Sequence, residues 1–183
     1  MPRVKPVDPS SASGRTKEVL DQVHKKFGMV PNVIRGLANS PAAAQAYLNL
    51  GDALSHGLLP AKVREQIALV VAQSNGCQYC LSAHSAVGKM LGLQDKEIAD
   101  SREARSSDTK TKTILSFART LVEERGNVDD ADLHDVRAAG VSDGEIAEIV
   151  ANVAQNILTN YFNHVAETEI DFPQVPLKLK QTA

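Results

Sequence analysis

Apolar residues recur every three or four positions along most of the chain, the spacing at which side chains share one face of an α-helix. The longest such pattern follows Ser142 and continues to Phe162. We predict helices at approximately 16–27, 31–39, 41–56, 60–74, 77–91, 95–101, 108–125, 130–139 and from 143 to beyond 162. The strict alternation of apolar and polar residues that indicates β-strands is not seen. The pattern therefore predicts an all-α protein.

Residue types that favour helix ends support these boundaries. Gly28 follows the first apolar pattern and is a typical stop signal. Ser40 precedes Pro41, the arrangement of an N-cap followed by proline at the first helical position. Ser142 and Glu145 have the spacing of a capping box, which predicts the start of the last helix.

The helical pattern predicts a single domain over residues 15–170. Residues 1–14 are rich in proline and serine and are expected to form an extended N-terminal arm. Residues 171–183 contain two prolines and no helical period, so we predict a C-terminal tail. With only 4% aromatic residues, the core must be built mainly from small and aliphatic side chains, which favours a closely packed helical bundle.

Charge and hydropathy exclude several classes of function. The formal net charge of −2 is spread without a basic stripe, which argues against a nucleic-acid partner. The apolar run from Ile67 to Ala72 is far too short to cross a membrane, and no secretory signal pattern is seen at the N-terminus. We therefore expect a cytoplasmic protein. In that compartment two cysteines are more often reactive than structural.

The two cysteines form a C-x-x-C motif, Cys77 and Cys80, at the predicted start of a helix. The free N–H groups and the positive end of the helix dipole stabilise a thiolate at this position. Two cysteines three residues apart on one turn can also close a disulfide with little backbone movement. His84 lies four residues beyond Cys80, on the same helical face, and is a candidate to take a proton from its thiol.

Glu65 is a candidate on the preceding helix. It lies twelve residues before Cys77, and the Asn75-Gly76 turn brings the two helices side by side or at an angle. A carboxylate nearly three turns back could then face the thiols or the imidazole. The sequence does not fix the angle between the helices.

The spacing E-x11-C-x-x-C-x-x-x-H, carried by Glu65, Cys77, Cys80 and His84, resembles that of the AhpD-like alkylhydroperoxidases. These proteins belong to the carboxymuconolactone decarboxylase superfamily. The segments 27–32, 39–41 and 163–173 also resemble longer members of that group. The resemblance implies an all-helical homo-oligomer, often a trimer or hexamer. It also implies a cysteine-based peroxidase or disulfide reductase that needs no metal or flavin cofactor.

Carried over by position, the resemblance implies that Cys80 attacks the peroxide and Cys77 resolves the product. It implies that His84 is the base for Cys80 and that Glu65 is a more distant proton relay. In the family pattern a histidine directly precedes the second cysteine, whereas this chain has Tyr79 there. Tyr79 and His164 are further candidates to support the site. A thiol or lipoyl-type protein is the implied reductant.

Other interpretations of the same residues stay open at this stage. The cysteines could be buried core residues, or could bind zinc together with His84 and a distant ligand such as His164. The chain could be a decarboxylase or lactone-handling enzyme of the same superfamily, which does not rely on the cysteine pair. It could also be a redox sensor without turnover.

Overall fold

The computed structural model describes residues 1–178, which form nine helices and contain no strand. The all-α prediction is therefore confirmed. The helices are α1 (Gly14–Phe27), α2 (Asn32–Leu37), α3 (Pro41–Ser55), α4 (Ala61–Ser74), α5 (Gln78–Met90), α6 (Asp95–Arg102), α7 (Thr109–Glu123), α8 (Asp130–Ala138) and α9 (Asp143–Ala166).

Side-chain caps set several helix starts where the sequence predicted them. The hydroxyl of Ser40 accepts a hydrogen bond from the Ala43 N–H at the start of α3. Ser142 and Glu145 form the predicted capping box at the start of α9. Helix α1 begins at Gly14, two residues before the predicted start.

Helix α4 is the centre of the fold. Its residues from Ile67 to Ala72 are all at most 2% exposed, and the helix contacts α5, α6, α7 and α9. Because apolar residues surround this stretch on every side, the helix is stable only inside the protein. The apolar run in the sequence therefore marks a buried core helix.

Two hydrophobic clusters pack against opposite sides of α4. Ile67, Val70 and Val71 contribute to the cluster that includes α7, α8 and α9. Leu69 and Ala72 contribute to the other cluster, which is formed with α1, α2, α3 and α5 and contains both cysteines. The cysteines thus belong to a packed core rather than to an open surface.

Both ends of the described chain are tied to the helical domain. In the N-terminal arm, the Arg3 N–H donates to the Ala166 carbonyl at 2.7 Å and the Val7 N–H donates to the Arg35 carbonyl at 3.0 Å. The C-terminal tail lies across α5 up to residue 178, and its last five residues, 179–183, lie outside the described part of the chain. No helix within residues 1–178 has the length and apolar character needed to span a membrane.

Candidate active site

The turn between α4 and α5 positions the cysteine pair. Gly76 has a φ of 66°, in the left-handed region that glycine adopts without the steric penalty of a side chain. The Cys77 N–H then donates to the Ala72 carbonyl at 2.9 Å, which holds the start of α5 against the end of α4. Asn75, in the same turn, donates from Nδ2 to Oδ1 of Asn160 on α9 at 2.9 Å.

Cys77 and Cys80 are joined as a disulfide, with their Cα atoms 5.3 Å apart. Cys77 is the N-cap residue of α5, and its sulfur accepts a hydrogen bond from the Cys80 N–H at 3.2 Å. Both residues are at most 2% exposed. The structure therefore brings the two sulfurs together at the amino end of a helix, where a thiolate is stabilised when the bond is reduced.

His84 and Glu65 meet across the interface of α4 and α5. The Nδ1 atom of His84 lies 2.8 Å from Oε2 of Glu65, and each side chain is 19% exposed. A carboxylate acceptor holds the proton on Nδ1, so Nε2 is the ring nitrogen that accepts a proton in the neutral imidazole. The pair is thus more accessible to solvent than the sulfurs and lies one turn along the helix from Cys80.

Tyr47 of α3 lies close to Glu65. Burial, with a contribution from the Glu65 charge, raises the pKa of its phenol to about 12. The phenol therefore stays protonated at neutral pH and adds no negative charge beside Glu65. Nothing in the sequence distinguishes Tyr47, because an aromatic side chain on an apolar helical face is ordinarily part of the core.

Tyr79 lies beside Cys80 in sequence, but its hydroxyl bonds to other elements. It donates to Oδ1 of Asp171 at 2.7 Å and accepts from the Val33 N–H at 3.2 Å. Its ring packs edge-on against Phe172, with the ring centroids 5.8 Å apart. Burial and the Asp171 carboxylate raise the pKa of Tyr79 far above its usual value. Tyr79 is therefore a neutral hydrogen-bond donor that fixes the tail, and not a base.

Residues 171–177, which we call the strap, pass over the cysteine-containing end of α5. The Val175 N–H donates to the Ser82 hydroxyl at 3.0 Å. The buried guanidinium of Arg102 donates to the carbonyls of Pro176 and Leu177, each at 2.8 Å. Side chains of the strap also pack against the cluster that holds both cysteines. The strap thus contributes to the low exposure of the sulfurs.

We expect Asp171→Ala to loosen the strap and to increase the rate at which iodoacetamide alkylates the reduced cysteines. The change removes the acceptor of the Tyr79 hydroxyl and of the Asn32 N–H, which donates to Oδ2 at 2.8 Å. Two lost hydrogen bonds correspond to a rate increase of roughly 5- to 100-fold if strap opening limits access. Glu169→Ala, which removes an exposed carboxylate two residues before the strap, is the matched control. Equal alkylation rates in the two variants would contradict the expectation.

Asn163 is the residue at the site that sequence reasoning missed. It is 6% exposed, and its Nδ2 lies 3.3 Å from the sulfur of Cys80. A signal was present in the sequence: asparagines recur at helical spacing along α9 where aliphatic residues are expected. These buried residues are Asn152, Asn156, Asn160 and Asn163.

His164 does not join the other candidates. It is exposed on α9, and no cluster of three or more His, Cys, Asp or Glu side chains within residues 1–178 is arranged to hold a metal ion. The cavity between α5, α6 and the strap has a volume of about 450 Å³ and is lined by residues such as Ser85, Ile98 and Val175. None of the four candidate catalytic residues lines it, because it lies on the opposite face of α5.

The fold is shared with proteins of known structure. The peroxidase-related protein from Ralstonia eutropha JMP134, described as an alkylhydroperoxidase AhpD core, superposes with a TM-score of 0.81 and 24% identity. The match covers 93% of this chain and 92% of that protein. The chain therefore has the AhpD-like helical fold, with a cysteine pair at the start of α5.

Residues 41–124, from α3 to the end of α7, match the carboxymuconolactone decarboxylase family. An alkyl hydroperoxide reductase of Mycobacterium tuberculosis is 29% identical over 97 residues, and an uncharacterized protein of Haemophilus influenzae is 41% identical over 70 residues. These stretches cover 52% and 38% of this chain. The chain spans 28% of the length of the first relative and 57% of the second. The match to the carboxymuconolactone decarboxylase family and these two relatives support the predicted resemblance to the AhpD-like group of that superfamily.

Proposed function

We propose that this protein is a thiol-dependent peroxidase that reduces hydroperoxides through Cys77 and Cys80. The observation that carries the proposal is the joined sulfur pair at the start of α5, with the His84–Glu65 pair one turn along. This arrangement supplies a nucleophile, a resolving thiol and a proton-handling group. The alkyl hydroperoxide reductase from Mycobacterium tuberculosis supports the same class of reaction.

In the proposed reaction the Cys80 thiolate attacks the outer oxygen of the hydroperoxide. The O–O bond breaks, Cys80 becomes a sulfenic acid, and the alcohol leaves after gaining a proton. The Cys77 thiolate then attacks the Cys80 sulfur, which forms the disulfide and releases hydroxide, protonated to water. The disulfide seen in the structure is the product of this half of the cycle. An external dithiol returns the pair to the reduced state and is itself oxidised to a disulfide.

Protons move through His84 in this proposal. Neutral His84 takes the proton from the Cys80 thiol, and the imidazolium gives it to the departing alkoxide. The Glu65 carboxylate fixes the ring and stabilises the imidazolium through the 2.8 Å contact at Nδ1. Because both side chains are partly exposed while the sulfurs are buried, the pair also connects the sulfurs to solvent protons.

The proposed function requires a reductant protein. We propose a thiol or lipoyl-type protein as the reductant and a cytoplasmic location, where such reductants keep dithiols reduced. We also propose a homo-oligomer, either a trimer or a hexamer. An exposed apolar stripe on α9, on the face turned away from Asn163, offers a surface for such an assembly. The stripe contains Val150, Leu158, Tyr161 and Val165.

Two other functions make different predictions. A decarboxylase or lactone-handling enzyme, the activity in the family name, would keep its activity after the thiols are alkylated. A redox sensor would form the disulfide readily but show no steady-state peroxide reduction with any reductant. Neither is favoured by a specific contact in the described residues, whereas the His84–Glu65 pair lies one turn from Cys80 and supports proton handling for thiol chemistry.

Titration of the reduced protein with a hydroperoxide tests the proposal. We expect one equivalent of peroxide to convert each chain to a species lighter by two hydrogen atoms in intact-mass spectra, with both thiols lost together. Addition of a dithiol should restore the reduced mass and allow further peroxide to be consumed. A reduced mass that stays unchanged with excess peroxide would reject a peroxidase function.

A further inference from the structure

Helix α9 presents two buried carboxamides to the cysteine pair and the turn before it. Asn160 is 0% exposed and accepts the hydrogen bond from Asn75, in the turn that leads to Cys77. Asn163, one turn further along, donates from Nδ2 to the sulfur of Cys80 at 3.3 Å. Residues 80 and 163 are 83 positions apart in sequence, so this contact depends on the packing of α5 against α9.

Packing alone does not account for an asparagine at position 163. The buried hydrophobic residues that pack with the cysteines are aliphatic and aromatic. Burying a carboxamide in such surroundings costs free energy unless both its polar atoms are bonded. Within the described chain the Oδ1 atom of Asn163 is buried and has no hydrogen-bond partner. The carboxamide is therefore incompletely bonded while the cysteines are joined as a disulfide.

Reduction of the disulfide changes the hydrogen bonds that the two sulfurs can make. The reduced pair contains a thiolate, which accepts hydrogen bonds, and a thiol, which donates one. The Nδ2 group of Asn163 lies 3.3 Å from the Cys80 sulfur. In the oxidised form the Cys80 sulfur is also bonded to the Cys77 sulfur. The same N–H group can therefore donate to a Cys80 thiolate, which is a stronger acceptor than a disulfide sulfur. The Nδ2 contact thus suits the reduced pair better than the disulfide.

We propose that Asn163 is a further catalytic residue, whose N–H group stabilises the Cys80 thiolate before it attacks the peroxide. The inference rests on the proposed function, in which Cys80 is the attacking thiol. It also gives a reason why Cys80 attacks although Cys77 occupies the N-cap position. Cys80 loses its proton to His84, and the resulting thiolate then accepts the hydrogen bond from the Asn163 N–H group.

The thiolate titration of Cys80 tests this role without a peroxide. In Cys77→Ser the only remaining thiol is Cys80, so ultraviolet absorbance followed against pH reports that sulfur alone. A hydrogen bond to a charged group corresponds to about a tenfold to hundredfold change in the thiolate equilibrium. We therefore expect Asn163→Ala in this background to move the titration midpoint up by about one to two pH units. Asn163→Asp, which places a negative charge beside the sulfur, should move it further.

The matched control is Asn156→Ala in the same background. Asn156 is also buried on α9, but its Nδ2 donates to the Asn152 carbonyl and not to sulfur. We expect this variant to titrate like the parent. If the titration midpoints of both Asn163 variants equal that of the parent, the proposal is overturned. If neither variant folds, the near-isosteric Asn163→Leu replaces them: a raised midpoint supports the proposal, and the parent midpoint overturns it.

The two levels of inference fail separately. If the protein reduces peroxide but the Cys80 titration is the same in the Asn163 variants, the proposed function stands and the role of Asn163 is rejected. If the Asn163 variants shift the Cys80 titration but the protein never consumes peroxide, the proposed function is rejected, and Asn163 is not a catalytic residue.

Discussion

Cys80→Ser is expected to reduce peroxide turnover to the background rate, whatever reductant is supplied. A serine hydroxyl has no accessible anion at neutral pH and is a weak nucleophile toward the O–O bond. Cys77→Ser should instead consume a single equivalent of peroxide and then stop, because the Cys80 sulfenic acid has no resolving thiol. The measurements are steady-state peroxide consumption and intact mass after trapping of the sulfenic acid with a cyclic diketone.

The two serine variants are each other's control, since both remove one sulfur and break the same disulfide. Circular dichroism should show the same helical content in both. The reverse pattern, in which Cys77→Ser is inactive and Cys80→Ser reacts once, would assign the attack to Cys77. Such a result would mean that the N-cap position outweighs the contacts of Cys80 with Asn163 and the proximity of His84.

His84→Gln is expected to lower the rate of peroxide reduction by about 10²- to 10⁴-fold, the usual contribution of a general acid–base group. Glu65→Gln should lower it less, by about 10- to 100-fold, because the carboxamide still accepts the Nδ1 hydrogen bond but no longer stabilises the imidazolium. The stopped-flow rate of Cys80 oxidation at limiting peroxide measures both effects.

A variant that combines Glu65→Gln with His84→Gln tests whether Glu65 acts through His84. If its only role is to hold and charge that ring, Glu65→Gln should cause no further loss in the His84→Gln background. His56→Gln, which removes a histidine from the exposed end of α3, is the control and should retain full activity. Additive losses in the double variant would give Glu65 a role independent of His84.

The part of the site on α5 was predictable from local sequence because its residues lie close together in the chain. Cys77, Cys80 and His84 occupy two turns of one helix, and helical geometry alone places them on related faces. Glu65 was a candidate from its position on the preceding helix and from the family resemblance, and its contact with His84 across α4 and α5 is consistent with both. The length of α4 and the Asn75-Gly76 turn made this contact plausible but did not determine the crossing of the two helices.

The residues that enclose the sulfurs could not be predicted in the same way. Asn163 and Asp171 reach the first turn of α5 from 83 and 92 positions away. Tyr79, expected to support the cysteines, instead holds the strap through Asp171. The tail had no helical period, so the sequence offered no reason to place it over the dithiol. His164 was a candidate from its position in the sequence, but the rotation of α9 exposes it and buries Asn163.

The sequence by itself determined which stretches are helical, where most of them begin and end, and which helix carries the reactive sulfurs. These properties depend on side-chain periodicity, on capping and on contacts between residues a few positions apart. Only the tertiary structure decided the environment of the sulfurs: their burial, the carboxamide beside Cys80 and the strap above them. That environment depends on how α4, α5, α9 and the tail pack, which is set by the fit of two hydrophobic clusters and not by any single segment.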